Sequence, residues 1–405
     1  MTETAAPPRL STDILISGGG VAGLTAAAAF GAAGFTTICV DPEPPVTAET
    51  DAGADMRTTA FLHPSRAVLE RAGLWARLAP HAAPLQVMRI IDAGGARLEA
   101  RIVRDFDAAD ISDEPFGWNF PNWLLRREMV ARLAEIPQVD FRPGVATVGL
   151  LTRESGAEVR LSDGTLVTAK LVIGADGRNS FVREAAGIGT KTTHYGQKAL
   201  VCAVTHPSPH GNVSTEVHRT GGPFTLVPLP DRDGKPSSAI VWMERGPEAE
   251  RLAALDPADF EREMTERSTG VLGPLTLATR RALWPMITQI ACRFSAERVA
   301  LIAEAAHVIP PIGAQGLNMS LADLRCLLDL AEKDPAHLGG AAMLASYNRR
   351  RWPEVKAREV GIDFLNRASM VAPRPLRDLR AAALGALYAF KPVRKTLMRA
   401  GLGMR

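Results

Sequence analysis

The stretch that decides the fold opens Ile14-Leu15-Ile16-Ser17-Gly18-Gly19-Gly20-Val21-Ala22-Gly23. An alanine-rich run follows, then Thr36-Thr37-Ile38-Cys39-Val40-Asp41. No charged residue lies between Asp13 and Asp41. On length alone such a stretch could span a bilayer, but its pattern argues otherwise. Three β-type residues end at three glycines, alanines favour helix, and a second β-type run leads to an acid. We expect strand, turn, helix, strand, with G-x-G-x-x-G at the turn. Gly18 permits the tight bend, Gly20 lets backbone approach a pyrophosphate, and Gly23 lets helix and strand pack closely. Around Val21 and Ala22 the free N–H groups of a helix start face the phosphates. Asp41 suits the adenosine ribose hydroxyls. This turn by itself does not separate FAD from NAD.

The rest of the 405 residues forms an ordinary globular chain. Apolar residues are 46 % and charged residues 22 %, enough for a large core and two or three domains. A net charge of +3 excludes a dedicated nucleic-acid binder, which needs many uncompensated cations. Cys39, Cys202, Cys292 and Cys326 are scattered, so neither a zinc site nor a redox pair is indicated. A reducing compartment fits, and residues 1–11 do not read as a signal peptide. We therefore expect a cytoplasmic protein, with no metal.

Beyond the first unit, residues 41–54 read as a loop and 57–78 as helical. Residues 85–102 read as strands joined at Gly94-Gly95, 105–122 as irregular, and 126–136 as a helix. Strands are expected at 146–151, 157–161 and 166–173, with a hairpin turn at Asp163-Gly164. From 195 to 245 the pattern is β-rich, which suggests an antiparallel sheet inserted into an α/β protein. Helices are expected at 257–268, 316–332 and over most of the last fifty residues.

Two more strand-to-turn motifs occur. One is Leu171-Val172-Ile173-Gly174-Ala175-Asp176-Gly177-Arg178-Asn179-Ser180. The other runs Val299-Ala300-Leu301-Ile302-Ala303-Glu304-Ala305-Ala306-His307-Val308-Ile309-Pro310-Pro311-Ile312-Gly313-Ala314-Gln315-Gly316-Leu317-Asn318. In order and spacing, the three motifs resemble those of the flavoprotein aromatic hydroxylases, the single-component monooxygenases of the 4-hydroxybenzoate hydroxylase fold. Within them the chain looks most like the ubiquinone-biosynthesis hydroxylases. Asp55-Met56-Arg57, Tyr195-Gly196-Gln197, the run from Gly222 to Leu229, and Tyr347 with Arg351 add to that likeness.

The resemblance implies an α/β fold: a Rossmann-like FAD-binding domain with an inserted antiparallel β-sheet substrate domain and C-terminal helices. The FAD-binding domain would comprise 8–73, 120–188 and 288–350. The substrate domain would comprise 74–119 and 189–287, with a basic helical segment at 351–405. FAD would lie near the Asp176-Gly177 turn. Arg57 and Arg126 would contact its ribityl-pyrophosphate region, where a guanidinium suits phosphate oxygens. The helix starting near Gly316 would aim the N–H groups of Leu317 and Asn318 at the flavin pyrimidine edge, its positive end favouring reduced flavin. Pro310 and Pro311 would stiffen the loop over the ring, Pro311 also reaching the substrate. Gln315 is either a flavin neighbour or a loop polar residue.

One departure stands out: the family usually has Gly-Asp where this chain has Ala303-Glu304. The acid normally receives a ribityl hydroxyl, and Glu304 reaches one methylene further. His307 occupies a packing position beside the flavin loop, and the sequence suggests no partner for it.

The implied chemistry is reduction of FAD by NADPH or NADH, addition of O2 as a C4a-hydroperoxide, and oxygen transfer to a phenol ring. No side chain is assigned as catalytic, since the flavin carries the chemistry. No second dinucleotide fingerprint appears, so NAD(P)H would bind transiently. Phe224, Leu226, Val227 and Pro228 are candidates to line an apolar substrate pocket, though strand alternation lets only about half of them face it. Lys198 and Arg219, at strand ends, are the nearest cations. That favours a substrate dominated by a greasy tail, a prenylated phenol or quinone precursor. The alternatives are a soluble hydroxylase acting on a small phenol, and a non-catalytic flavoprotein scaffold of a biosynthetic complex.

From Arg367 to Arg405 nine basic residues face one acid, Asp378, and Ala381 to Phe390 are mostly apolar. Such a segment suits an anionic membrane surface, here the inner face of the membrane. It suits equally packing on the FAD domain with a solvated basic face, and a third possibility is docking to a partner enzyme of a ubiquinone-biosynthesis complex.

Overall fold

The computed structural model describes residues 8–94, 99–370, 378 and 388–403. Strand Arg9–Ser17 enters the turn, helix Val21–Ala32 leaves it, and strand Thr37–Asp41 returns parallel to the first. The uncharged stretch is thus a βαβ unit. Its strands are buried on both faces, as in a parallel sheet covered by helices.

This unit lies inside the larger core. Its parallel strands stand in the order Val299–Leu301, Leu166–Gly174, Arg9–Ser17, Thr37–Asp41, Val139–Pro143. All three motif strands are therefore neighbours. The hairpin Gly156–Leu161 with Leu166–Gly174 turns at Gly164, whose φ of +88° suits glycine.

A second, nine-stranded sheet is built mainly from Thr190–Thr205, Val213–His218, Pro223–Arg232, Lys235–Arg245 and Ala282–Ala291, with Val87–Asp92 and Ile102–Asp107 at one end. Helices Gly246–Ala254 and Pro257–Arg267 cover one of its faces.

Two expectations change. Residues 57–78 are not one helix: Thr58–Leu62 is a strand, followed by helices His63–Arg71 and Trp75–Leu78. The segment 105–122 is not all irregular, because Gly117–Pro121 is the middle strand of a small sheet between Thr58–Leu62 and Ala83–Leu85. The β-branched Thr58-Thr59 pair favours strand once a partner exists, and that partner lies far along the chain. The domain junctions at 119/120 and 350/351 fall inside continuous elements, this strand and helix Ala341–Ser369. The apolar stretch expected at 381–390 lies outside the described residues up to 387. No helix among the described residues is long and apolar enough to cross a membrane.

Candidate active site

The three motif turns meet at the carboxyl ends of adjacent parallel strands, where open α/β sheets bind ligands. Ala175 N–H donates to the Ser17 carbonyl (2.8 Å), and Ile302 N–H to the Gly174 carbonyl (3.0 Å). Gly18, at φ +113°, fits so closely that a Cβ would stand 2.3 Å from the Ala175 carbonyl oxygen. A Cβ on Gly23 would stand 1.9 Å from the Gly18 oxygen. Gly20 differs: nothing lies within 4 Å of its would-be Cβ. That open space sits at the start of helix Val21–Ala32, which has no side-chain cap. Its first-turn N–H groups are free for an anion. Asp41 braces the turn, accepting from Gly19 N–H (2.5 Å) and Glu43 N–H (2.8 Å).

Helix Asn122–Leu133 packs beside this helix, Thr25 Oγ1 contacting Met129 Sδ at 3.8 Å. One turn earlier, the Arg126 Nε is buried with no hydrogen-bond partner. An orphaned guanidinium N–H of this kind fits an absent phosphate or ribityl oxygen. The FAD cradle expected from the glycines is thus matched by the chemistry of the groups left open.

Three expected contacts look different in the folded chain. The Asp176 carboxylate faces its own turn, accepting from Ser180 Oγ and from Val182 N–H (3.0 Å). Burial pushes its pKa up, partly offset by these donors. Gly177, at φ +80° with open space at its Cβ position, is the member of that turn left free for a ligand. Arg57 is already held: Asp55 grips it at 2.9 and 2.8 Å, and its guanidinium lies 4.2 Å from the Trp284 ring centroid. Asn122 donates to the same Asp55 carboxylate (3.0 Å). Burial alone would raise the Asp55 pKa, but Arg57 and Asn122 outweigh it and hold the carboxyl low. The sequence suggested Arg57 but gave no hint of Trp284 or Asn122.

The third motif explains its own departure. Ala303 sits at φ +56°, a left-handed conformation that costs an alanine about 1–2 kcal/mol. The family glycine would adopt it freely. Glu304 follows in the first turn of helix Ala303–Ala306, and its charge acts on Arg57. Further on, helix Gln315–Lys333 starts from Ala314, also left-handed at φ +54°, with no side-chain cap. Gly316 has open space at its Cβ position. The N–H groups of Gln315, Gly316 and Leu317, in the first turn, lack intrahelical partners. The Asn318 side chain has a second task that sequence did not suggest. It accepts from Leu62 N–H (2.8 Å) and Ser65 Oγ (2.6 Å), and donates to the carbonyls of Ala60 (2.7 Å) and Ala314 (2.6 Å).

His307 does have a partner. Its Nε2 lies 2.7 Å from Asp323 Oδ2, with both side chains fully buried. Arg351 Nε donates to the other Asp323 oxygen at 2.7 Å. Burial alone would raise the Asp323 pKa; Arg351 first and then His307 outweigh it and hold it below the usual carboxylate value. The loop from Ile309 to Ala314 is thus anchored from behind by a buried charge cluster. The sixteen-residue separation of His307 and Asp323 spans a loop and a helix, so no periodicity marks it.

That loop faces the nine-stranded sheet. Ile309 and Ile312 pack with Ala199, Val241, Met243 and Met286. Directly paired residues share a face, so register identifies the rest of this wall. One row runs Arg104, Ile90, Glu216, Thr225, Val241, Val201. Val227 lies on the same side, clustered with Ala203, Leu229 and Ala239. Phe224 and Leu226 point the other way, into the core beneath the helices with Leu252, Phe260 and Met264. By the same alternation Pro228 shares their face. Of the four candidates for the pocket lining, Val227 alone faces the loop, and Thr225 stands on the same face. Within this apolar wall Glu216 is buried and lies 2.6 Å from His218 Nε2. Lys198 is engaged by Glu250 (2.6 Å), and Arg219 lines a cleft of about 690 Å3 with Trp242 and residues of helix Pro257–Arg267, on the helix-covered side.

Comparison with known proteins agrees with this geometry. Residues 11–359 match the family described as FAD binding domain. The chain is 32 % identical over 394 residues to the ubiquinone hydroxylase UbiL of Rhodospirillum rubrum, covering 96 % of this chain and 89 % of that one. It is 27 % identical over 402 residues to the 3-demethoxyubiquinol 3-hydroxylase of Escherichia coli, covering 97 % and 99 %. Among solved structures, the p-nitrophenol 4-monooxygenase PnpA of Pseudomonas putida superposes with a TM-score of 0.77 at 19 % identity, over 98 % of this chain and 99 % of that one. PqsL of Pseudomonas aeruginosa superposes with a TM-score of 0.76 at 22 % identity, over 91 % and 98 %. These two likenesses establish the fold. With its FAD cradle, its apolar wall and these relatives, the chain belongs to the FAD-dependent aromatic hydroxylase family in which the Rhodospirillum rubrum ubiquinone hydroxylase stands.

Proposed function

We propose that this protein hydroxylates the aromatic ring of a polyprenylated phenol in ubiquinone biosynthesis, using FAD, NAD(P)H and dioxygen. The observation that carries the reading is the sheet face opposite the motif turns. Val201, Ala203, Val227, Leu229, Ala239 and Val241 make it apolar, which suits a tailed ring. Of the cations a small carboxylate would need, Lys198 is engaged with Glu250, Arg219 is turned to the other side, and Arg104, on this face, lies over the Tyr388 ring.

FAD, when bound, supplies the hydride acceptor and the activation of dioxygen. The chain's own residues hold and shield it. Backbone N–H groups from Gly20 to Gly23 and the free Arg126 Nε would take the pyrophosphate side. Asp41 would take the ribose, and Glu304 the ribityl chain. The N-terminus of helix Gln315–Lys333 would place its partial positive charge at the ring's pyrimidine edge. Pro311, between Ile309 and Ile312, would exclude water where ring and flavin meet. A tailed substrate resides in the bilayer, so we also propose that the protein works at the inner face of the membrane.

The test uses purified protein reconstituted with FAD. NADPH oxidation is followed with and without a prenylated 4-hydroxyphenyl compound, under isotopically heavy dioxygen. The expected outcome is substrate-accelerated oxidation and a product carrying one heavy oxygen. A yellow protein that oxidises NADPH but labels no tailed phenol refutes the substrate assignment.

A further inference from the structure

The C-terminal residues 388–403 form a strap across the open side of the substrate wall. Tyr388 packs edge-on against Phe106, with ring centroids 5.5 Å apart, and the Arg104 and Arg394 guanidiniums lie over its ring at 5.2 and 4.7 Å. Arg104 stands on the same sheet face as Thr225 and Val241, and Phe106, two residues on, shares it. Arg394 also donates to Asp110 (2.9 Å). At the other end, Gln315 of the flavin loop donates to the Gly401 carbonyl (2.8 Å) and accepts from Arg358 (3.0 Å). The strap thus links the far strand of the sheet to the loop over the flavin.

Its outward surface is unusual. Helix Lys391–Leu402 buries none of its residues. Lys391, Arg394, Lys395 and Arg399 stand in residues 388–403 with no acid among them. Phe390 (61 % exposed) and Leu397 are exposed beside these cations. The neighbouring helix Ala341–Ser369 adds exposed Val360, Phe364 (71 %) and Leu365 within two turns of Arg358. Half of the ten large apolar side chains exposed among the described residues therefore gather on these two helices and on Phe390, which precedes helix Lys391–Leu402.

We propose that the outer faces of these helices form one docking site for an anionic lipid bilayer, so that the tailed substrate enters beneath the strap. Cations beside exposed aromatic and aliphatic side chains are what a bilayer interface selects. A soluble protein partner would leave the uncompensated charge unexplained unless it were acidic. Delivery of substrate at this point rests on the function proposed above; the docking itself does not.

The experiment is co-sedimentation of the full-length, FAD-loaded protein with two kinds of vesicle, phosphatidylcholine alone and phosphatidylcholine with about a third phosphatidylglycerol. Binding is expected to the anionic vesicles and to be at least tenfold weaker on the neutral ones, with a steep loss as salt rises. The triple reversal Lys391→Glu, Lys395→Glu, Arg399→Glu should abolish it. Phe364→Ser with Leu365→Ser should weaken it several-fold at every salt concentration. Both variants should retain the flavin spectrum and the thermal midpoint of the parent. The proposal is overturned if the parent ignores anionic vesicles. It is equally overturned if both variants bind like the parent, or if the charge reversal instead disperses a dimer seen by analytical ultracentrifugation. Failure to hydroxylate a prenylated phenol alongside normal vesicle binding would refute the function and leave the docking site standing.

Discussion

The first and third turns perform related tasks with opposite construction. At Gly18–Gly23 the bend, the close approach and the open space all fall on glycines, and each contact lies within the βαβ unit or one strand away. At 303–318 two of the three left-handed positions fall on alanines, Ala303 and Ala314, and one on Gly313. That loop is held by distant groups instead: Asp323 and Arg351 behind His307, and Leu62 and Ser65 on Asn318. A turn built from glycine carries its geometry in the backbone. A turn that puts alanine at left-handed positions needs its surroundings to impose the geometry.

The largest test of this contrast is Asp323→Ala. It leaves the buried Arg351 with only the part-exposed Glu354 as counter-charge and His307 without its hydrogen-bond partner, and should cost about 3–5 kcal/mol of stability in urea denaturation. The effect has a pH signature. The folded pKa of Asp323 is depressed, so its contribution is fully present above the unfolded value of about 3.9 and is lost as pH falls through the lower folded value. The gap between parent and variant should therefore close in acid. A gap that stays constant down to acid unfolding would break the assignment.

Gly23→Ala probes the other turn. The new methyl meets a main-chain oxygen, which no rotamer can relieve. A stability loss of about 1–3 kcal/mol is expected, together with weaker FAD retention in the visible spectrum. Unchanged flavin affinity would show that the close approach is not needed for binding.

Arg126→Ala should separate binding from stability. Its Nε has no protein partner, so denaturation of the flavin-free protein should be nearly unaffected. FAD affinity, measured by fluorescence quenching, should fall about tenfold, equivalent to about 1.4 kcal/mol. Equal loss of both would mean that the side chain serves the fold and not the cofactor.

The smallest expected effect is Ala303→Gly. Relief of the left-handed alanine is worth about 1–2 kcal/mol, and the added freedom of glycine in the unfolded chain takes back about half to all of one. A net gain between nothing and about 1.5 kcal/mol should appear as a slightly higher thermal midpoint. A loss would show that the loop tolerates alanine without strain.

The sequence read well wherever geometry is local. Three apolar strand residues, three glycines and an alanine run specify a βαβ unit within thirty residues, and the unit forms as expected. The spacing of β-rich runs likewise announced the second sheet. It did not say which face of Pro223–Arg232 meets the flavin loop. A one-residue change of register inverts that answer, and only the helices Gly246–Ala254 and Pro257–Arg267 select it by covering Phe224 and Leu226. Thr58–Leu62 was misread for a similar reason. Its strand partner, Gly117–Pro121, lies over fifty residues away, beyond any local pattern.

What the sequence determined by itself, then, is the dinucleotide turn, the order of the three motifs, the family they resemble and the basic C-terminus. What tertiary structure decided is how those parts are held and aimed: Arg57 stacked on Trp284, His307 paired with Asp323, Val227 turned toward the loop, and the strap laid across the wall. Backbone conformation follows from neighbouring residues because sterics act over one or two positions. Side-chain partnerships join atoms brought together only when the core closes, and no spacing along the chain records them.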